Sequence, residues 1–185
     1  MKIELSGKKA LIGGSSKGIG LGIAKQLAES GASVCLMARN ETKLKEIVSK
    51  LPSSENQNHD YLVVDFSDFD GFKIIIEQYV DKNRIDILIN NAGFLIKKEF
   101  DKLSHEDFVR SYQINAIGIM QVVQAVLPAM NQHGSHIVNI SSMGGFQGSM
   151  KFPGLAAYST SKAALCSFTE LFAEEYKDSN IKMNC

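Results

Sequence analysis

Lys9-Ala10-Leu11-Ile12-Gly13-Gly14-Ser15-Ser16-Lys17-Gly18-Ile19-Gly20 is the stretch from which the rest of the chain is read. Lys9 to Ile12 has the length and apolar continuity of a buried strand, and the pattern from Ile19 onward has the period of a helix. Glycines between the two let the backbone approach a ligand closely, and a helix that begins at once offers free N–H groups to negative charge. Strand, glycine turn and helix in that order suit a pyrophosphate. The plainer alternative is a turn that only packs the helix on the strand.

Outward from this turn the two periods alternate. Short apolar, β-branched runs at Ala32 to Met37, Tyr61 to Val64, Ile85 to Ile89 and His136 to Ile140 read as further strands of a sheet covered on both faces. Helical patterns lie between them at Ile19 to Glu29, Glu41 to Lys50, Phe72 to Val80, His105 to Met130 and Leu155 to Lys177. Regular βα alternation predicts an α/β fold, a doubly wound parallel sheet with right-handed crossovers. No linker or repeat divides the 185 residues, and Pro52 to Asp60 reads as a surface loop, so one domain over 1–185 is expected. Such a chain can hide about 70% of its unfolded surface, enough for a core of its own.

The second strand ends at Met37-Ala38-Arg39, where an acidic residue would bind a ribose 2′-hydroxyl. Ala38 has no such group. Arg39 and Lys17 instead offer two positive charges to a 2′-phosphate, which favours NADP(H) over NAD(H); two solvated cations are the alternative. After the third strand, Asp65 either accepts from an adenine amino group or caps the next helix, for which Asp68 is the better candidate. After the fourth comes Asn90-Asn91-Ala92-Gly93, whose amides can tie down backbone beneath a cofactor. The fifth delivers Ser141-Ser142 to the same edge, and Tyr158 and Lys162, four apart, share one face of the helix after it. An ammonium there lowers the phenol's pKa from its usual value near 10, so that it exchanges a proton with a carbonyl or alcohol oxygen. Ser142 can hold that oxygen.

Together these residues resemble the short-chain dehydrogenases/reductases over essentially the whole chain. The likeness rests on Gly14, Gly18 and Gly20, on Asn90-Asn91-Ala92-Gly93, on Asn115 in Gln113-Ile114-Asn115-Ala116, and on Ser142 with Tyr158 and Lys162. It implies a Rossmann-type domain and a hydride exchanged with a nicotinamide. Tyr158 would be the acid/base, Lys162 would hold the nicotinamide ribose and tune Tyr158, Ser142 would polarise the substrate oxygen, and Asn115 would anchor a water in a proton relay. The expected cofactor set is Gly14, Ser16, Lys17, Gly18, Ile19, Gly20, Arg39, Asp65, Phe66, Asn91, Ala92, Gly93, Tyr158 and Lys162. The substrate would be a small carbonyl compound or alcohol, a 3-oxoacyl thioester among them. Met120, Val123, Val126 and Leu127 have core spacing, and the resemblance adds a homodimer or homotetramer through the helices at 105–130 and 155–177.

Three departures stand out. Gly13 occupies a position where the family usually has Thr, which puts the rigidity of the turn in question. Ser142 lies sixteen residues before Tyr158, more than is typical, so Gly148 to Pro153 is expected to bulge beside the substrate, and Ser141 remains a fallback for Ser142. The chain stops after Ile181-Lys182-Met183-Asn184-Cys185, within a sixth strand, without the substrate-covering segment that members carry beyond it. A non-catalytic dinucleotide-binding remnant or sensor is therefore a rival reading, and a nucleotide-sugar epimerase or dehydratase is a third.

Composition narrows the classes further. Lys plus Arg and Asp plus Glu number 20 each, which removes the cationic surplus that nucleic-acid binding needs. Cys35, Cys166 and Cys185 are far apart in the chain and form no C-x-x-C pair, which argues against a disulfide framework or zinc site and for a cytoplasmic setting. His133 and His136 read as surface residues, so no metal is expected, and Lys97-Lys98 and Lys43 to Lys50 as solvated faces. Met1 to Gly7 has no leader pattern, and no run reaches the roughly 18 apolar residues of a membrane span.

Overall fold

The structure, a computed structural model, describes residues 3–130 and 133–185, with Phe69 described by its backbone alone. Met1 and Lys2, the first residues of the stretch read as lacking a leader, lie outside the described residues. Strands β1 (Lys9–Gly13), β2 (Ser33–Ala38), β3 (Asp60–Val63), β4 (Ile87–Asn90), β5 (Ser135–Asn139) and β6 (Ile181–Asn184) form one sheet in the order β3-β2-β1-β4-β5-β6. Every neighbouring pair is parallel. That order is the doubly wound, Rossmann-like one, with its switch point between β1 and β4.

Helices α1 (Gly18–Glu29), α2 (Glu41–Val48), α3 (Phe69–Val80), α4 (His105–Tyr112), α5 (Gly118–Val126) and α6 (Ala156–Glu175) fill the crossovers. Alternation along the strands divides the core. Ala10 and Ile12 of β1 point with Val34 and Leu36 of β2 toward Ala24, Ala28 and Leu44 of α1 and α2. Leu11, Cys35 and Met37 face the other way, onto a cluster with Phe72, Ile76, Val122, Val126 and Phe172 of α3, α5 and α6. Coverage is less even than the apolar runs imply: Ile87, Val138 and Ile140, on the face that α1 and α2 share, are only partly buried. In β5 and β6, buried positions alternate with exposed His136, Lys182 and Asn184. One good face is enough to seat these strands.

The largest departure from the sequence reading is the helix expected over His105 to Met130. It is interrupted by a π-helical turn at Gln113–Ile117 and ends in a 3-10 turn, Leu127–Ala129, that contains Pro128. A π turn adds a residue to the helical cycle and so re-aims a side chain, here Asn115, which is fully buried. β4 also starts at Ile87 rather than Ile85, because Ile85 makes an isolated bridge with Met130 instead. The Pro52 to Asp60 loop is pinned by Gln57, whose Nε2 donates to the Ala28 and Ala32 carbonyls.

Asp68 caps α3, its carboxylate accepting the Gly71 N–H at 3.2 Å. Asp68→Ala should lower the unfolding free energy by about 1 kcal/mol, read as a lower urea midpoint at unchanged slope. An unchanged midpoint would show that the cap contributes nothing to stability.

Candidate active site

Strand register gathers the site. Gly13 pairs with Met37 on one side and with Asn90 on the other, Asn90 pairs with Asn139, and Ala38 with Val63. The carboxyl ends of five strands are therefore level, and the loops that leave them open on one edge of the sheet. Along it runs a cleft of about 630 Å³, lined by the Gly14 to Ile19 turn, Arg39, Lys43, Asp65 to Ser67, Asn91 to Phe94, Arg110 and Ile114.

The glycine turn is held without the side chain that Gly13 lacks. The N–H groups of Gly14 and Ser15 both donate to the Met37 carbonyl, at 2.9 and 3.3 Å, and Asn91 Nδ2 donates to the Gly14 carbonyl at 3.0 Å. Gly14 has φ +65°, and a Cβ on it would lie 2.8 Å from the Ala92 Cα. Backbone stands directly on backbone there, which only glycine permits. Gly20 seals the turn from below, since a Cβ on it would meet the Gly14 oxygen at 2.5 Å. Gly18, at φ +57°, faces open space. Helix α1 begins beside it with no side-chain cap and no acidic residue in its first turn, so its leading N–H groups are left for a ligand.

Four cations line the cleft, Lys17, Arg39, Lys43 and Arg110, against one carboxylate, Asp65. The Ser67 backbone N–H and hydroxyl, at 2.9 and 2.7 Å, hold Asp65 below the usual carboxylate range, and Arg39 and Arg110 add to this. Of the two sequence readings of Asp65, capping α3 belongs to Asp68. Neither Lys43 nor Arg110 stands out in the sequence as a cleft residue. Lys43, in the first turn of a helix starting just past Arg39, was within reach of such a reading; Arg110, stacked 4.4 Å from the Phe94 ring centroid, reaches the cleft only through tertiary packing.

At the other end of the cleft stands α6. Lys162 is 3% exposed, and its Nζ donates to the Ile140 carbonyl at 2.7 Å. Burial pushes it down to about 8, opposed by the neighbouring Cys185 and Cys166. A Cβ on Gly93 would lie 3.6 Å from Nζ, so the Asn91 to Gly93 turn passes beside the ammonium. Asn115 locks the next step of that chain: its Oδ1 accepts the Phe94 N–H at 2.7 Å, and its Nδ2 donates to the Phe94 carbonyl and to Ser161 Oγ. Half-buried Tyr158 lies one turn before Lys162. The two serines part company. Ser141 Oγ donates to the Lys162 carbonyl at 2.9 Å and accepts from the Cys166 thiol, whereas Ser142 Oγ only accepts the Gly144 N–H at 3.2 Å. Gly144 and Gly145 let that turn lie on α6, where a Cβ would meet Ser159 Oγ at 2.6 Å or the Lys162 carbonyl carbon at 2.7 Å.

Of the expected residues, those from the glycine turn through Gly93 line the cleft, except Gly20, which supports the turn from beneath. Lys162 and Asn115 meet at the Gly93–Phe94 segment, Tyr158 lies one turn before Lys162 on α6, and the Ser142 turn packs on α6 through Gly144 and Gly145. His133 and His136 are exposed, and among the described residues no group of His, Cys, Asp or Glu could hold a metal. No helix of the described residues is long and apolar enough to cross a membrane.

A bare helix N-terminus and four cations at the carboxyl edge of a doubly wound sheet are the setting in which such folds bind anionic ligands. A sequence model of the short chain dehydrogenase family matches residues 8–185, and the chain belongs to that family. An uncharacterized oxidoreductase of Staphylococcus saprophyticus is 32% identical over 183 residues, 98% of this chain and 77% of its own length. A 3-oxoacyl-[acyl-carrier-protein] reductase of Chlamydia muridarum is also 32% identical, over 187 residues, 100% of this chain and 74% of its own. The L-sorbose reductase from Gluconobacter frateurii complexed with NADPH and L-sorbose superposes with a TM-score of 0.89 at 28% identity, covering 98% of this chain and 68% of that one. The chain spans 53% of an uncharacterized oxidoreductase of Mycobacterium tuberculosis to which it is 35% identical, over 186 residues and 96% of this chain.

The buried lysine has a consequence for stability. Between about pH 8 and about pH 10, an unfolded chain keeps the proton that folded Lys162 releases, so its contribution to stability rises with pH through that window. The difference in urea unfolding free energy, wild type minus Lys162→Met, should therefore increase from the lower to the higher pH. A flat or falling difference would mean that Lys162 is not desolvated in the folded chain.

Proposed function

We propose that the chain is an NADP(H)-dependent oxidoreductase that interconverts a carbonyl compound and a secondary alcohol, with Tyr158 as the acid/base. The observation that carries the reading is Lys162, a buried ammonium one helical turn from Tyr158 and beside Gly93, which lines the cleft. The cleft fits the cofactor: Gly18 and the uncapped start of α1 leave open space and free N–H groups for a pyrophosphate. Lys17 and Arg39, joined by Lys43, suit a 2′-phosphate, and Asp65 and Phe66 are assigned to the adenine end. The bound nicotinamide supplies or accepts the hydride.

The protein's own groups do the rest. Ser142, whose hydroxyl proton no group among the described residues takes up, holds the substrate oxygen; Ser141 is spent on α6. Tyr158 gives that oxygen its proton on reduction and takes it back on oxidation. Lys162 holds the nicotinamide ribose. Both amide protons of Asn115 are engaged, so we assign its side chain to positioning Phe94 and the Gly93 turn rather than to holding a water. Past Ser142, Met143, Phe146 and Met150 are exposed apolar side chains that suit an acyl tail, as in a 3-oxoacyl thioester.

We extend the proposal to residues 1–185 as one dinucleotide-binding unit. Exposed Val109, Ile117 and Leu171 favour a homodimer through α4 to α6, and free Cys35, Cys166 and Cys185 fit a reducing cytoplasm. Calorimetry should show tighter binding of NADPH than of NADH, and Arg39→Asp should weaken NADPH roughly 10- to 100-fold. Tyr158→Phe should lose most 3-oxoacyl-thioester or ketone reduction while keeping NADPH affinity. Equal affinity for the two cofactors would contradict the NADP(H) assignment, and turnover kept within a few-fold would contradict that of Tyr158. Binding without turnover in the unmodified protein would favour the sensor reading.

A further inference from the structure

Two of the three cysteines, far apart in the sequence, meet in the fold. Cys166 lies on α6 one turn past Lys162, and Cys185 directly follows β6. Because α6 packs against β6, their sulfurs stand 3.7 Å apart, both as free thiols. The Cys166 thiol also donates to Ser141 Oγ at 3.2 Å, which anchors it at the end of β5. Cys185 is exposed and Cys166 partly so, whereas Cys35 is fully buried within β2. A disulfide needs the sulfurs at about 2.05 Å, and rotation about the side chains of an exposed Cys185 and its neighbour can close most of the remaining gap.

We propose that Cys166 and Cys185 are a redox-sensitive dithiol that closes to a disulfide and staples β6 to α6, the helix that carries Tyr158 and Lys162. The oxidant is a small-molecule disulfide. The Cys185 thiolate, the more accessible, attacks one of its sulfurs; that S–S bond breaks, and one thiolate leaves with the electron pair. The Cys166 thiolate then attacks Cys185 Sγ in the mixed disulfide, the new intramolecular S–S bond forms, and the second thiolate leaves. The two cysteine protons pass through solvent to the departing thiolates, so the oxidant is reduced to two thiols as the pair is oxidised. Closure also removes the thiol that donates to Ser141 Oγ.

The purified folded chain is incubated with oxidised glutathione, quenched by acid and alkylation, and digested with trypsin without reduction. The expected product is one disulfide-linked pair of peptides, residues 163–177 joined to residues 183–185, which is lost on treatment with dithiothreitol. Cys166→Ser and Cys185→Ser should each abolish the link, and Cys35 should be recovered alkylated only after unfolding. The same treatment in urea should scatter oxidation over all three cysteines. Glutathione adducts without the link, linkage to Cys35, or linkage only between separate chains would each overturn the proposal.

Discussion

The contact of Gly14 with Ala92 is the constraint from which the rest of the cleft is built. The backbone after β1 and the backbone after β4 lie so close that a single methyl at Gly14 would stand 2.8 Å from the Ala92 Cα. Adjacent parallel strands at a switch point make that approach possible, and the Asn91 amide secures it by donating to the Gly14 carbonyl. Both ends of the cleft depend on it. The N-terminus of α1 is aimed across the cleft, and the Asn91 to Gly93 turn is pressed against Lys162 and Asn115. In the proposed reading, one end of the site acts on the pyrophosphate and the other on the proton, at a separation set by the sheet rather than by loops.

Opposite this contact, α6 carries the proposed acid/base pair at some cost to the fold. Lys162 gives up most of its hydration for a hydrogen bond to the Ile140 carbonyl. A buried lysine whose hydrogen-bond partner is a neutral carbonyl is a destabilising choice for a fold and a useful one for a site. Compensation comes from packing. Gly144 and Gly145 bring the Ser142 turn onto the helix, Ser141 takes up the Lys162 carbonyl, and Ser161 links the helix to Asn115. Groups past the end of β5, on α6 and in the π turn are thereby held on rigid elements.

Much of this is legible in the residues themselves. Strands that are short apolar runs between Gly, Asn and Asp announce their type and order, and the glycine turn, Asn90 to Gly93, Tyr158 and Lys162 lie just past strand ends or share a helix turn. What stays hidden is what depends on distant contacts. The π turn at Asn115 has no propensity signal, because it is stabilised by what Asn115 reaches, the backbone of Phe94. Arg110 enters the cleft through the packing of α4, and Cys166 meets Cys185 only because α6 lies against β6. The partial cover of Ile87, Val138 and Ile140 is equally invisible to periodicity, since an apolar strand reads the same with one face packed or two.

The central claim, that one continuous cleft holds a dinucleotide from the glycine turn to Lys162, is tested most directly by following amide resonances of ¹⁵N-labelled protein as NADPH is added. The expected result is shifts at Gly14, Gly18 and Arg39 together with shifts at Gly93 and Lys162, all saturating at one concentration. Shifts confined to surfaces away from these residues, or at the glycine turn alone with Gly93 and Lys162 unmoved, would contradict it.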